Sequence, residues 1–305
     1  MYSRILVPLD GSEVAELALG HAKELALRLG LEVVLLHVYE PDGSEQVAMR
    51  EAYMERVAER MRRGLQMPES NDRQQGQPPS IDVRTSLIEG HTAEQIVQYA
   101  ETNAIDVIVM ATHGYSGIKR WRLGSVADKV LRASSIPVWL VRAQDSGEAI
   151  GNNWPGMRVL VPLDGSELAE SVLPHVQALA KQKDGEPVEV VLVGVCEPML
   201  LPSYYPPDIP LNWDHHVTLC KRSSSEYLTK VVKRLKNAGV NARSEVLVGK
   251  AADAIIDFTN EQAPSVIAIA THGRSGVSKW AFGSVAERVL RGVSDPVLLV
   301  RPVRR

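Results

Sequence analysis

The sequence predicts an α/β protein of two tandem doubly wound domains, Rossmann-like or flavodoxin-like, each with a five-stranded parallel sheet in the order 3-2-1-4-5. Three observations predict it. Residues 107–142 (VIVMATHGYSGIKRWRLGSVADKVLRASSIPVWLVR) recur as residues 266–301 (VIAIATHGRSGVSKWAFGSVAERVLRGVSDPVLLVR), agreeing without a gap at 22 of 36 positions. In both halves short apolar runs alternate with stretches whose apolar residues recur at helical spacing. The runs are apolar almost throughout, as in Val33-Val34-Leu35-Leu36, which suits parallel strands covered by helices on both faces. In a chain of 305 residues, a repeat of about 155 is too long for a solenoid unit and marks duplication of a whole domain. Domain 1 is expected over 1–145 and domain 2 over 156–305, joined by a polar linker at 146–155 (SGEAIGNNWP).

In the first half, residues 5–9 are a short apolar strand ending in Asp10-Gly11-Ser12. Ser12 can cap the next helix, with Glu13 and Glu16 at its positive end. Val14, Leu17, Ala18, Ala22, Leu25 and Leu29 form its apolar stripe, and Gly30 stops it. Residues 32–38 are the second strand. A helix is expected over about 46–65, then a polar, mobile loop at 68–80 (PESNDRQQGQPPS), a third strand at 81–87, and a helix opened by a capping-box spacing at Thr92-Ala-Glu-Gln95. Residues 106–111 and the repeated block complete the five strands.

The second half repeats the plan. Strand 159–163 ends in Asp164-Gly165-Ser166, and one helix is expected through Leu168, Val172, Val176 and Leu179. Strands follow at 188–195, 242–248, 265–270 and 297–300, with a long helix over about 214–239. Residues 199–213, rich in proline and tyrosine, suit a lid, a polyproline docking strip or an inert loop.

A hydrophobic content of 45% and a formal charge of −3 describe an ordinary globular protein without the basic field of a general nucleic-acid binder. The N-terminus runs directly into a strand, and no apolar run approaches the roughly 20 residues of a membrane span; a cytoplasmic location is the expectation. Cys196 and Cys220 could pair, but reduced thiols suit that compartment better.

Doubly wound sheets bind ligands beyond the carboxyl ends of their strands, where the winding reverses. In a 3-2-1-4-5 sheet the first and fourth strands flank that point. Their ends carry Asp10 and Thr112-His113-Gly114 in one half, Asp164 and Thr271-His272-Gly273 in the other. Gly124-Ser125 and Gly283-Ser284 then open helices, and a helix start offers free N–H groups to an anion. Each of these residues also has a structural reading. The glycines can be turn residues, the aspartates Asx-turn residues, and Ser125 with Asp128, or Ser284 with Glu287, a capping box. His113 and His272 have no carboxylate or second histidine at a spacing that would make them general bases. The adjacent His215-His216 point different ways on a helix and do not suit a metal. Lys119, Arg120, Arg122 and Lys279 could reach phosphates, but such cations are more often a solvated face.

The chain resembles the universal stress proteins, in tandem form and of the ATP-binding type. The resemblance rests on VPLDGS in both halves and on Gly, two residues, Gly, nine residues, Gly-Ser/Thr. Here that pattern reads Ala111-Thr-His-Gly114, nine residues, Gly124-Ser125, and Ala270-Thr-His-Gly273, nine residues, Gly283-Ser284. The resemblance implies that Asp10 and Asp164 lie by the ribose, or near the phosphates through a bound Mg. It puts Pro8, Leu9, Pro162 and Leu163 on the adenine side, with the backbone of Val38 and Val195 facing the base. Gly114, Gly124 and Ser125, and Gly273, Gly283 and Ser284, would hold the phosphates, with Ala111, His113, Val126, Ala270, His272 and Val285 completing the contacts. Alanine replaces the pattern's first glycine at Ala111 and Ala270, adding one methyl beside the ligand.

Walker A, G-x-G-x-x-G, a catalytic triad and a zinc-ligand cluster are all missing from the sequence. The expectation is therefore a cytosolic stress-response regulator that binds ATP, or AMP or ADP, at one site per half. Rival readings are a slow ATPase or phosphotransferase, and a scaffold without nucleotide. The last strands, 137–141 and 296–300, are very apolar for sheet edges. The two halves are expected to pack through them as a pseudo-dimer, and two chains could associate further as a homodimer.

Overall fold

The computed structural model describes residues 2–40, 46–66, 81–112, 123–142, 156–181, 188–197, 213–271 and 282–302. The loop expected at 68–80, the linker 146–155, nearly all of 199–213, His113, Gly114, His272, Gly273, Lys119, Arg120, Arg122 and Lys279 lie outside them.

The first half runs β1 (Arg4–Pro8), α1 (Glu13–Leu29), β2 (Glu32–Tyr39), α2 (Val47–Gln66), β3 (Val83–Glu89), α3 (Thr92–Thr102), β4 (Val107–Ala111), α4 (Ser125–Ala133) and β5 (Val138–Val141). Ser12 caps α1 by accepting from the Ala15 N–H at 3.1 Å. Gly30 ends the helix in the left-handed conformation (φ 67°) that glycine adopts without a Cβ penalty. The second half runs β6 (Arg158–Pro162), α5 (Glu167–Glu170), α6 (Leu173–Ala180), β7 (Glu189–Cys196), α7 (Trp213–Asn237), β8 (Asn241–Val248), α8 (Ala251–Gln262), β9 (Val266–Ala270), α9 (Ser284–Gly292) and β10 (Val297–Val300).

Two sequence expectations are corrected. The single helix expected after Ser166 is two, α5 and α6, interrupted at Ser171–Val172. Pro174 has no N–H to give, and its ring would collide with the carbonyl of Glu170 four residues earlier. The helix at Thr92 is not opened by a threonine cap. His91 is the N-cap, without a side-chain bond, and the Gln95 side chain lies against Gly90 instead.

Among the described residues ten strands form one sheet, ordered β3-β2-β1-β4-β5-β10-β9-β6-β7-β8. Each half thus has the parallel order 3-2-1-4-5. The halves join where β5 and β10 pair antiparallel, with Trp139 opposite Leu298. These two residues hold equivalent positions in the repeat, so the pseudo-twofold relation of the halves passes between them. Both are fully buried. At the same seam Arg142 donates to the Leu290 carbonyl and Arg301 to the Arg132 carbonyl, the latter at 2.7 Å. Pairing the two apolar edges removes both from solvent. Helices cover each face of the sheet, which is why its strands are buried on both sides.

The seam contains a titratable group. His21 on α1 packs against Trp139, ring centroids 6.2 Å apart, and burial lowers its pKa to about 4. The folded protein therefore refuses a proton that the unfolded chain takes up near 6.5. Its contribution to stability is complete above pH 6.5 and is lost as the pH falls toward 4, by about 3 kcal/mol in all. Urea midpoints at pH 7.5 and 4.5 are expected to fall more steeply for the wild type than for His21→Phe; equal slopes would contradict this.

Candidate functional site

Both reversal points have the same construction. β1 lies between β2 and β4, and β6 between β7 and β9, so the end of β1 or β6 meets the end of β4 or β9. Just past β1, one carboxylate oxygen of Asp10 accepts from the Ser12 N–H at 3.0 Å and its hydroxyl at 2.6 Å. Asp164 repeats this with Ser166 at 2.9 and 2.6 Å. The Asx-turn role is real, and it fixes each carboxylate at the mouth.

Across the mouth, the carbonyls of Thr112 and Thr271 each accept from the N–H of Gly124 or Gly283 at 2.7 Å. The backbone one residue beyond β4 is thereby tied to the start of α4, and that beyond β9 to the start of α9. Gly124 and Gly283 are the N-caps of α4 and α9, with φ −60° and −61°, and neither has a side-chain cap bond. This corrects the capping-box expectation. Ser125 and Ser284 sit one residue inside the helix, and Asp128 and Glu287 pair with Arg132 and Arg291 instead. A glycine cap leaves the first-turn N–H groups unserved by side chains, at the positive end of the helix.

In the second half these groups border a cleft of about 680 Å³, within the range of small-molecule sites. Eight of the ten residues expected there line it: Pro162, Leu163, Asp164, Val195, Ala270, Gly283, Ser284 and Val285. His272 and Gly273 are outside the described residues. Ala270 is the last residue of β9, as Ala111 is of β4. In the first half Pro8, Leu9, Asp10, Val38, Ala111, Gly124, Ser125 and Val126 hold the matching places.

The sequence reading missed the far wall. In the second half α7 contributes Cys220, Ser223, Ser224, Tyr227 and Leu228. Tyr227 donates to Glu170 at 2.9 Å while Arg234 pairs with the same carboxylate. Tyr53, Glu16 and Arg60 repeat the arrangement in the first half. That correspondence puts Arg50 where the second half has Ser224, and the strand register puts His37 where it has Gly194. A Cβ on Gly194 would meet the Leu228 Cδ1 at 3.1 Å, so in the second half α7 closes on a bare glycine where the first half carries an imidazole. The His37 ring stands against Tyr53, and burial lowers its pKa, with the nearby Arg50 charge adding to the effect. Aligning VVLLHVY with VVLVGVC would have revealed the difference.

The cysteines are also corrected. The structure pairs Cys196 with Cys220, with Cα atoms 5.8 Å apart, a normal separation for a disulfide. Twenty-four positions in sequence gave no hint that the end of β7 and the second turn of α7 would be neighbours.

Fold and site together define a duplicated α/β protein with a cleft at a strand-order reversal. The comparisons give the family. A model of the universal stress protein family matches residues 1–142 and 157–301. The chain belongs to the universal stress protein family. Universal stress protein MJ0531 of Methanocaldococcus jannaschii is 32% identical over 148 residues, spanning 48% of this chain and 84% of that protein. MJ0577 of the same organism is 30% identical over 159 residues, 48% of this chain and 98% of that protein. The solved universal stress protein of Archaeoglobus fulgidus covers 98% of this chain and 96% of its own at 20% identity, with a TM-score of 0.65. The first two span about half of this chain; the third shares the fold along its whole length.

Proposed function

We propose that this protein binds an adenine nucleotide, ATP with AMP or ADP as alternatives, at one site per half, and that occupancy regulates its assembly or choice of partner in a stress response. The observation that carries this reading is the uncapped start of α9 facing Asp164 across a cleft of about 680 Å³. Leu163, Val195, Ile269 and Ala270 supply an apolar wall for a base. The first-turn N–H groups of α9 supply donors for phosphate, and Asp164 supplies an acceptor for a ribose hydroxyl. Among the described residues no group of three His, Cys, Asp or Glu side chains could hold a metal. A Mg ion therefore enters this reading only on the phosphates, with Asp164 as the carboxylate that would meet it.

The described lining of the second cleft contains no Lys, Arg or His. The described phosphate donors are neutral amides, which are enough to retain a nucleotide, whereas phosphoryl transfer calls for added positive charge at the transition state. Calorimetric titration with ATP, AMP and adenosine tests the assignment. ATP is expected to bind at least about tenfold more tightly than adenosine, the worth of one charge-assisted hydrogen bond. Equal affinities would remove the phosphate site from the account.

A further inference from the structure

We propose that Cys196 and Cys220 are a reversible thiol–disulfide site whose state sets the affinity of the second cleft; this rests on the nucleotide reading above. Cys196 ends β7 directly after Val195 and is fully buried, whereas Cys220 is partly exposed and lines the cleft. The bond thus ties the strand end beneath the ligand to the helix that walls it.

The tie matters because little else holds that part of the helix. From Asp214 to Tyr227 no described side chain of α7 is buried; the first is Leu228. That leading stretch extends about 20 Å at the rise of an α-helix. In α2 the matching unburied stretch is only Val47–Tyr53, before Met54. A segment with so few buried apolar contacts opens locally at low cost. It carries Ser223 and Ser224 of the wall. With the bond intact the wall is preformed; with it broken, binding must also order the wall. The first half has Tyr39 and Gln46 at the corresponding positions, so the control belongs to the second half alone.

The chemistry needs a small-molecule disulfide as oxidant. The thiolate of Cys220, the more accessible of the two, attacks RSSR and releases one RS⁻. Cys196, as thiolate, then attacks the Cys220 sulfur of the mixed disulfide and releases the second. The two protons lost by the cysteines are taken up by the two released thiolates, giving two RSH. A dithiol reverses both steps. By linkage, a ligand that prefers the oxidised form protects the bond from reduction by the same factor.

Thiol counting by alkylation and mass spectrometry after glutathione disulfide, and again after dithiothreitol, defines the two states; ATP titration of each follows. Two thiols are expected to disappear and return. One of the two ATP-binding events should weaken by about fivefold or more on reduction. The Cys196→Ser/Cys220→Ser protein should bind like the reduced form and ignore both reagents. Unchanged ATP affinity across interconverted states, or thiols that stay reduced in glutathione disulfide, would overturn the proposal. If ATP binds neither state, the nucleotide reading falls separately. Amide exchange over residues 214–227 then decides this one: faster exchange on reduction upholds it, and unchanged exchange overturns it.

Discussion

Replacing Gly283 by aspartate is expected to abolish nucleotide binding in the second half while making the fold more stable. Gly283 sits at the N-cap of α9 with φ −61° and ψ 146°, a conformation open to any residue and favoured by capping aspartates. A carboxylate there would accept from the first-turn N–H groups and add on the order of 0.5–1 kcal/mol of stability. It would also occupy the donors assigned to phosphate and oppose its charge, and such like-charge juxtaposition costs several kcal/mol. Affinity at that site should fall at least about a hundredfold. The opposite movement of the two readouts makes the test specific, because a variant that merely damaged the fold would lose both. Gly124→Asp should do the same in the first half. Retained binding in both variants would place the anion elsewhere.

Trp139→Ala is expected to cost about 3–5 kcal/mol, the usual penalty for truncating a fully buried tryptophan. Trp139 faces Leu298 across the antiparallel seam, and the loss leaves a void where the halves join. Because these positions are equivalent in the repeat, exchanging them conserves the total volume at the seam. Trp139→Leu with Leu298→Trp should therefore recover at least half of the loss seen in Trp139→Leu alone, as neighbours in one packing unit do. Full recovery is not expected, since His21 packs against Trp139 while its counterpart His175 bonds the Tyr2 hydroxyl at 2.7 Å. Simple additivity of the two single changes would show that the seam does not form as described.

Much of this architecture was legible in the residues. Runs such as VVLL, apolar on both faces, could only be covered parallel strands. The twin Asp-Gly-Ser turns followed by helical periodicity fixed where each first strand ends. The apolar edges at 137–141 and 296–300 signalled that each needs a partner, although the strand-to-strand register could come only from the three-dimensional arrangement. Local features were harder where two short-range rules compete. Ser125 and Ser284 fit a cap by residue type, yet Gly124 and Gly283 hold that place, their carbonyls accepting the first bond of the helix and their N–H groups bonding the Thr112 and Thr271 carbonyls. Pro174 was visible, and the helical stripe from Leu168 to Leu179 concealed its effect. The inequality of the two clefts, His37 and Arg50 against Gly194 and Ser224, needs the correspondence of α2 with α7. Unlike the repeated block, those helices share little sequence. Whether the two cysteines pair could not be decided from the sequence, since it depends on where α7 begins relative to the end of β7.

The most direct test of the central claim is amide NMR of the full chain with and without ATP. The largest shifts are expected at the first-turn amides of α9, residues 284–287, and at 164–166, with matching changes at 125–128 and 10–12. ATP-induced shifts that spare both helix starts, or that appear equally with adenosine, would contradict it.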